Sequence, residues 1–199
     1  MRIFSLVYAA YLLRFCSCGD FVDESTLVSA WKDGQEVSTD VPSPPGMLDI
    51  SVPDEEQCKS FDYTFAGNAI RLIVPNKDTT ATKLVNGAEE DAYTLPSGET
   101  LDHAKAYLNK DKKPELVLLV FNTPSGISRR DYVKSDNGWT VCNNSDIKMR
   151  SLRDPAEWIS NFEIDVSLAN GTDEFTAFEA ELLGIAIQHF FPKPGHAVV

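Results

Sequence analysis

One stretch of this chain is written in full and then begun a second time, and that repetition constrains the fold more than any other feature. Leu48-Asp49-Ile50-Ser51-Val52 opens an alternating run. Phe61, Tyr63 and Phe65 continue it, Gly67 punctuates, and Ala69-Ile70-Arg71-Leu72-Ile73-Val74 ends at Pro75. Near the C-terminus, Ile164-Asp165-Val166-Ser167-Leu168 is followed by Phe175, Phe178, Leu182 and Gly184, and Ile185-Ala186-Ile187-Gln188-His189-Phe190-Phe191 runs into Pro192. Pro75 lies eight positions after Gly67, and Pro192 eight positions after Gly184. The step from Asp49 to Gly67 is 18 and that from Asp165 to Gly184 is 19, so one inserted residue aligns the two stretches. Fixed internal spacing of this kind marks a duplicated unit. It speaks to architecture; no residue in the chain identifies a reaction.

A chain of 199 residues with 43% hydrophobic content can bury one good core, with part of a second domain left over. The formal charge is −12. Such a surface repels phosphate backbones and anionic headgroups, which disfavours binding to bulk nucleic acid or bare membrane.

The N-terminus reads as an address. Met1 and Arg2 precede an 11-residue run, Ile3 to Leu13, that is apolar apart from Ser5, and the small residues Cys16, Ser17, Cys18 and Gly19 follow. This is the layout of a secretory signal peptide cleaved after Cys18 or Gly19. A membrane span needs about 20 apolar residues, and Arg14 ends this run too early. The expectation is a signal over residues 1–18 and a secreted product with no membrane span after cleavage. Loss of Arg2 and Arg14 would leave 16 basic residues against 30 acidic ones, a charge of −14.

Cys58 and Cys142 then remain, 84 residues apart. An oxidising compartment allows one disulfide between them, and closing so long a loop would stabilise by roughly 4 kcal/mol if the geometry fits. The repeat alignment puts Phe175 opposite Cys58, which instead makes Cys58 a core position that accepts a small hydrophobe. Both readings stand at this point.

Residues 19–46 read as a Pro-rich linker ending in Pro42-Ser43-Pro44-Pro45-Gly46, extended and largely unpacked. From there the period is mostly two. Leu48/Ile50/Val52, Phe61/Tyr63/Phe65 and Ile70/Leu72/Val74 each place apolar residues on one face of a strand. Thr82 to Val85 is a short strand, Asn86-Gly87 a two-residue turn signal, and Tyr93 and Leu95 continue beyond it. Leu101 to Asn109 fits a helix face through Leu101, Ala104 and Leu108 and a strand face through Ala104, Ala106 and Leu108; of the two, a strand pairing with Glu115–Phe121 is preferred, and the continuous apolar run Leu116–Phe121 suits a central strand. Tyr132-Val133 and Trp139–Cys142 flank a second hairpin turn at Asp136-Asn137-Gly138. Asp154 and Pro155 can start a short helix in a connector over residues 146–160. In the tail, helical spacing competes with the repeat, and the repeat predicts two strands around Gly184. The fold class expected is mainly β, an antiparallel β-sandwich or barrel, with a β-rich domain over residues 47–145 and a partial second copy over 161–199. Deleting everything after Ile159 is expected to leave the first domain folded.

The chain resembles the FAINT-domain family of secreted proteins of Theileria and related piroplasm parasites. The likeness is carried by Leu48-Asp49-Ile50, Val85-Asn86-Gly87 and Tyr132-Val133-Lys134-Ser135-Asp136-Asn137-Gly138-Trp139, and in the tail by Pro192-Lys193-Pro194-Gly195. It covers Leu48 to Asn143 and resumes near Phe162. One departure is visible: the family often places a tryptophan just after the Asn-Gly turn, where the nearest aromatic here is Tyr93. The resemblance implies a secreted, β-rich parasite protein exported toward the host, and supplies no catalytic residue.

Chemistry is sparse. His103 follows Asp102, and a His–Asp pair with a serine would make a hydrolase. Strand neighbours point to opposite faces, however, and no Gly-x-Ser-x-Gly elbow exists, so His103 reads as a surface residue. His189 sits in an apolar run as a half-buried packing residue, and His196 beside a turn is solvated. No spacing supports a zinc site, a calcium loop or a phosphate cradle. No catalytic residue, cofactor or metal site is assigned. Lys105, Lys110, Lys112 and Lys113 form a candidate docking patch, and Asn143 and Asn170 open glycosylation sequons. The expectation is a non-enzymatic module that meets an unidentified host protein; the alternative is a barrel carrying a small apolar ligand.

Overall fold

In the computed structural model, residues 44–87 and 91–199 are described. The signal over residues 1–18 and all but the last residues of the linker lie outside them. The chain is mainly β. Its principal sheet has six antiparallel strands in the order β2 (Cys58–Phe65), β3 (Asn68–Pro75), β6 (Thr100–Leu108), β7 (Pro114–Thr123), β8 (Gly126–Ser135) and β9 (Gly138–Val141). The expected β6–β7 pairing and the Asp136–Gly138 hairpin are both present. None of the sheets closes on itself, so the barrel is replaced by layers of open sheet.

Alternation along the strands gives this sheet two apolar faces. One carries Ile73, Ala104, Ala106, Val117, Leu119 and Phe121. Over it lies a second sheet of β1 (Met47–Asp49), β4 (Lys83–Val85) and β5 (Asp91–Thr94), which contributes Leu48, Ile50 and Leu84 to one core. Gly46 opens this sheet: its carbonyl accepts from Thr82 N and Lys83 N, and its positive φ and the Thr80 carbonyl, 2.8 Å from where a Cβ would sit, leave room for glycine alone. The Asn86-Gly87 turn is longer than the sequence signal implied. Val85 pairs with Asp91, and the Gly87 N–H is drawn aside to the Asp49 carboxylate, which also accepts from Ser51 N and Oγ.

The opposite face of the six-stranded sheet is covered in part by a hairpin of β11 (Phe175–Leu182) and β12 (Ile185–Pro192). The repeat's prediction of strands in the tail therefore holds against the helical spacing. Position for position, this hairpin matches β2–β3: eight residues, a two-residue turn, eight residues. Cys58↔Pro75 and Phe65↔Asn68 bound the first ladder, Phe175↔Pro192 and Leu182↔Ile185 the second. Both turns are left-handed at both positions, Ala66 (φ 50°) with Gly67 (φ 77°) and Leu183 (φ 54°) with Gly184 (φ 75°), the signature of a type I′ turn. The likeness extends outward. Asn76 N bonds Gln57 O and Lys193 N bonds Glu174 O, and Asp165 caps Ser167 as Asp49 caps Ser51. In chain order a parallel pair, β10 (Ser160–Phe162) with β13 (His196–Val198), brackets the second hairpin as β1 and β4 bracket the first, with β10 ending three residues before Asp165 where β1 ends at Asp49.

The two hairpins pack face to face with equivalent positions in contact: Phe61 stacks on Phe178 at 4.4 Å. The β11–β12 turn lies over the open end of the first hairpin, where Lys77 pairs with Glu181 at 3.0 Å, while Phe65 at the first turn meets Phe191 at the open end of the second. Tyr63, Ile70 and Leu72 are buried by Phe178, Ala180 and Leu182. Deletion after Ile159 would uncover that face, so a first domain that stays folded without the tail would do so with Tyr63, Ile70 and Leu72 newly exposed.

The helix is also displaced. It spans Ser145–Ser151 (α1), tethered to β7 by Lys148–Glu115 at 2.6 Å, and not the residues after Asp154. Asp154 N donates to Gly67 O at 2.7 Å and Ile159 N to Gly195 O at 2.6 Å, so both ends of that segment are tied to turns, and it forms neither helix nor strand.

Candidate functional site

Asp102 is the carboxylate through which the six-stranded sheet is bonded to the turn of the C-terminal hairpin. A register shift between Leu101 and His103 marks a bulge in β6, with Asp102 as the extra residue. The bulge overrides strand alternation and turns Asp102 and His103 toward each other, contrary to the expectation of opposite faces. His103 Nδ1 lies 2.7 Å from Asp102 Oδ2, and both side chains are about nine-tenths buried. The same carboxylate accepts from Leu183 N, 3.0 and 3.1 Å from its two oxygens, at the tip of the β11–β12 turn. His103 is therefore a buried residue and not a surface one. Burial holds its pKa below the usual histidine value, with the Asp102 hydrogen bond opposing.

Next to this latch the aromatic layer continues. Tyr63 stacks on Phe191 at 4.0 Å, and His189 stacks on Phe178 at 5.0 Å. His189 is half-buried, as its apolar run implied; its Nε2 is buried without a hydrogen-bond partner and burial lowers its pKa. Lys105, two residues beyond His103 on β6, pairs across strands with Leu72 and Leu118; its pKa is lowered by burial first and then by Arg129. A histidine that donates to or accepts from an aspartate can serve a nucleophile only if one is in reach. Here the carboxylate also accepts a backbone amide from the β11–β12 turn, and the arrangement fastens the hairpin to the sheet.

Three of the four candidate docking lysines share one place. Lys110, Lys112 and Lys113 are exposed in the β6–β7 turn, Lys110 at 3.5 Å from Asp154, whereas Lys105 lies in the sheet and does not join them. Cys58 and Cys142 are free thiols. Cys58 starts one edge strand and Cys142 follows the other, five strand spacings or about 24 Å across a flat sheet, against a Cα separation near 6 Å in a disulfide. The pairing is thus not made, and Cys58 takes the core role instead. Burial, and then the Asp54 charge, push its thiol up to about 11. Asn143 and Asn170 are both exposed.

Two polar clusters escaped sequence reading. Arg130 on β8 makes a bidentate pair with Glu99 at 2.6 Å, bonds the Tyr93 hydroxyl and lies 5.0 Å over the Phe121 ring, so it ties the second sheet to the first. Arg71 pairs with Asp62 at 2.7 Å and reaches Ser51 O. Each joins residues far apart in sequence, and composition carries no trace of that. Two open recesses mark the surface. One of about 410 Å³ is lined by Arg129, Asp131, Tyr132, Val141 and Cys142; one of about 600 Å³ is lined by Asp54, Glu56 and Asp78 with Pro44 and Pro45. Neither is the enclosed apolar cavity that a ligand carrier requires. Among the described residues no group of three His, Cys, Asp or Glu side chains gathers as a metal site, and no helix is long and apolar enough to cross a membrane. Compared with known protein families, characterised proteins and solved structures, the chain matches none.

Proposed function

We propose that this chain is a secreted, non-enzymatic interaction protein of the FAINT-domain kind, with one complete unit over residues 47–145 and part of a second over 161–199. The observation that carries the reading is the second hairpin, which repeats the first in length, register and turn conformation. The polar groups that join distant strands, Asp102, Arg130 and Asp49, are engaged in fastening one piece of this framework to another. That leaves the loops and the acidic outer surface to meet a host protein. The exposed Lys110, Lys112 and Lys113 turn is a local cationic patch on that surface and the natural first contact for an acidic partner.

The test is affinity capture from host-cell lysate with the chain beginning at Gly19, beside a control in which Lys110, Lys112 and Lys113 are changed to Glu. Enrichment of one protein by the parent and its loss in the control supports the reading. Equal recovery of everything by both refutes it. Expression in a secreting eukaryotic cell supplies the second arm, because a released product still carrying Met1 would refute the signal.

A further inference from the structure

Strand β3 is bonded along both edges, to β2 and to β6, while its counterpart β12 is bonded along one, to β11. The two-residue turn decides which groups face outward. With Leu182↔Ile185 flanking the turn, Ile185, Ile187, His189 and Phe191 bond to β11, and Ala186, Gln188 and Phe190 aim their N–H and C=O groups away. These three stand where Ala69, Arg71 and Ile73 stand in β3, opposite Leu108, Ala106 and Ala104 of β6. Among the described residues no backbone partner meets them.

Exposed edges are ordinarily blunted by charge, proline or a bulge. The other long edges obey: β2 carries Lys59 and Asp62, and β11 carries Glu179 and Glu181. From Ile185 to Phe191, β12 has no charged residue, no proline and no register shift, and Ile185 and Ile187 are 46% and 36% exposed. Two copies of a chain with charge −12 repel over most of their surface, so this uncharged strip is where they approach most easily. An antiparallel pair is also two-fold symmetric, which makes one strand edge complementary to itself.

We propose that β12 is a self-association edge, along which two copies of this chain pair antiparallel about Gln188 to form a continuous β11-β12-β12-β11 sheet. The inference is independent of secretion and of any host partner. Gln188 faces its own copy, Ala186 faces Phe190, Ile187 faces His189, and Ile185 faces Phe191. The even-numbered positions are the hydrogen-bonded ones, so the outward groups of both strands are satisfied together.

Sedimentation velocity on the full chain across the micromolar range tests this. The wild type is expected to reach about 44 kDa, twice its 22.0 kDa mass. Gln188→Pro removes the central outward N–H without touching a bond to β11, and is expected to weaken the dimer at least about tenfold. Gln188→Lys sets two cations face to face and is expected to weaken it in a way that added salt relieves. A wild type monomeric throughout overturns the proposal. So does a dimer indifferent to both variants, or a chain that stays monomeric while capturing a strand from another protein. Should Gln188→Pro alter the circular dichroism spectrum, Gln188→Lys decides alone.

Discussion

Phe178→Ala is the perturbation that most sharply tests how the tail is held. Phe178 is 8% exposed and touches four rings: Phe61 at 4.4 Å, His189 at 5.0 Å, Tyr63 at 5.7 Å and Phe191 at 5.9 Å. Truncating a buried phenylalanine costs about 3–5 kcal/mol through lost transfer energy and the cavity left behind. The parallel stack on Phe61 adds about 0.5–1.5 kcal/mol beyond area, part of which the truncation figure already contains. For a chain of this size about 4 kcal/mol corresponds to a fall in melting temperature of roughly 8–16 °C. Thermal denaturation followed by near-ultraviolet circular dichroism reads the aromatic layer directly. Val166→Ala, at an exposed position outside the hairpin, is expected to shift the midpoint by about 1 kcal/mol or less. A Phe178→Ala loss no larger than that of Val166→Ala would refute the docking of hairpin on sheet. In a double-mutant cycle, Phe61→Ala and Phe178→Ala should be less than additive, because each removes the same stack.

Three further outcomes are expected. Burial lowers the pKa values of His103 and His189, so the unfolded chain takes up protons first. Their contribution is present above the ordinary histidine value of 6.5 and is lost as pH falls through the folded values, so urea midpoints should decline below that pH and decline less in His103→Gln. Asp102→Ala strips the acceptor from His103 and Leu183 N and should cost about 1–3 kcal/mol; a neutral result in equilibrium unfolding would remove the latch. Ala66→Asn places a residue that tolerates the left-handed turn conformation at φ 50° and should stabilise by about 0.5–1 kcal/mol, read as a raised melting midpoint.

Strand existence was legible because alternation needs only local residues: Phe61/Tyr63/Phe65 and Leu116–Phe121 announce themselves. The tail was legible only through its likeness to the first hairpin, since Phe175, Phe178, Leu182 and Ile185 taken alone satisfy a helix as well. Three features were hidden for stated reasons. The Asp102 bulge is set by pairing with β7, which no window on β6 contains. The helix after Asn144 lost to Asp154-Pro155 in the sequence because the latter has the stronger cap signal, while in the fold both ends of that segment bond to Gly67 and Gly195 and it forms no helix. The Cys58–Cys142 question turned on strand order, which places them at opposite edges. Of the polar contacts, Arg130–Glu99 and Arg71–Ser51 bridge 31 and 20 residues of sequence, and only the fold brings them together.

The most direct measurement is a nuclear Overhauser map of the aromatic rings and turn amides in isotopically labelled protein. Two matching two-residue turns laid face to face require cross-peaks between the Phe61 and Phe178 rings and between Tyr63 and Phe191. They also require a slowly exchanging Leu183 amide. A spectrum in which residues 175–192 give sequential helical contacts, or in which Phe178 shows no peak to Phe61, would contradict the repeated-hairpin architecture.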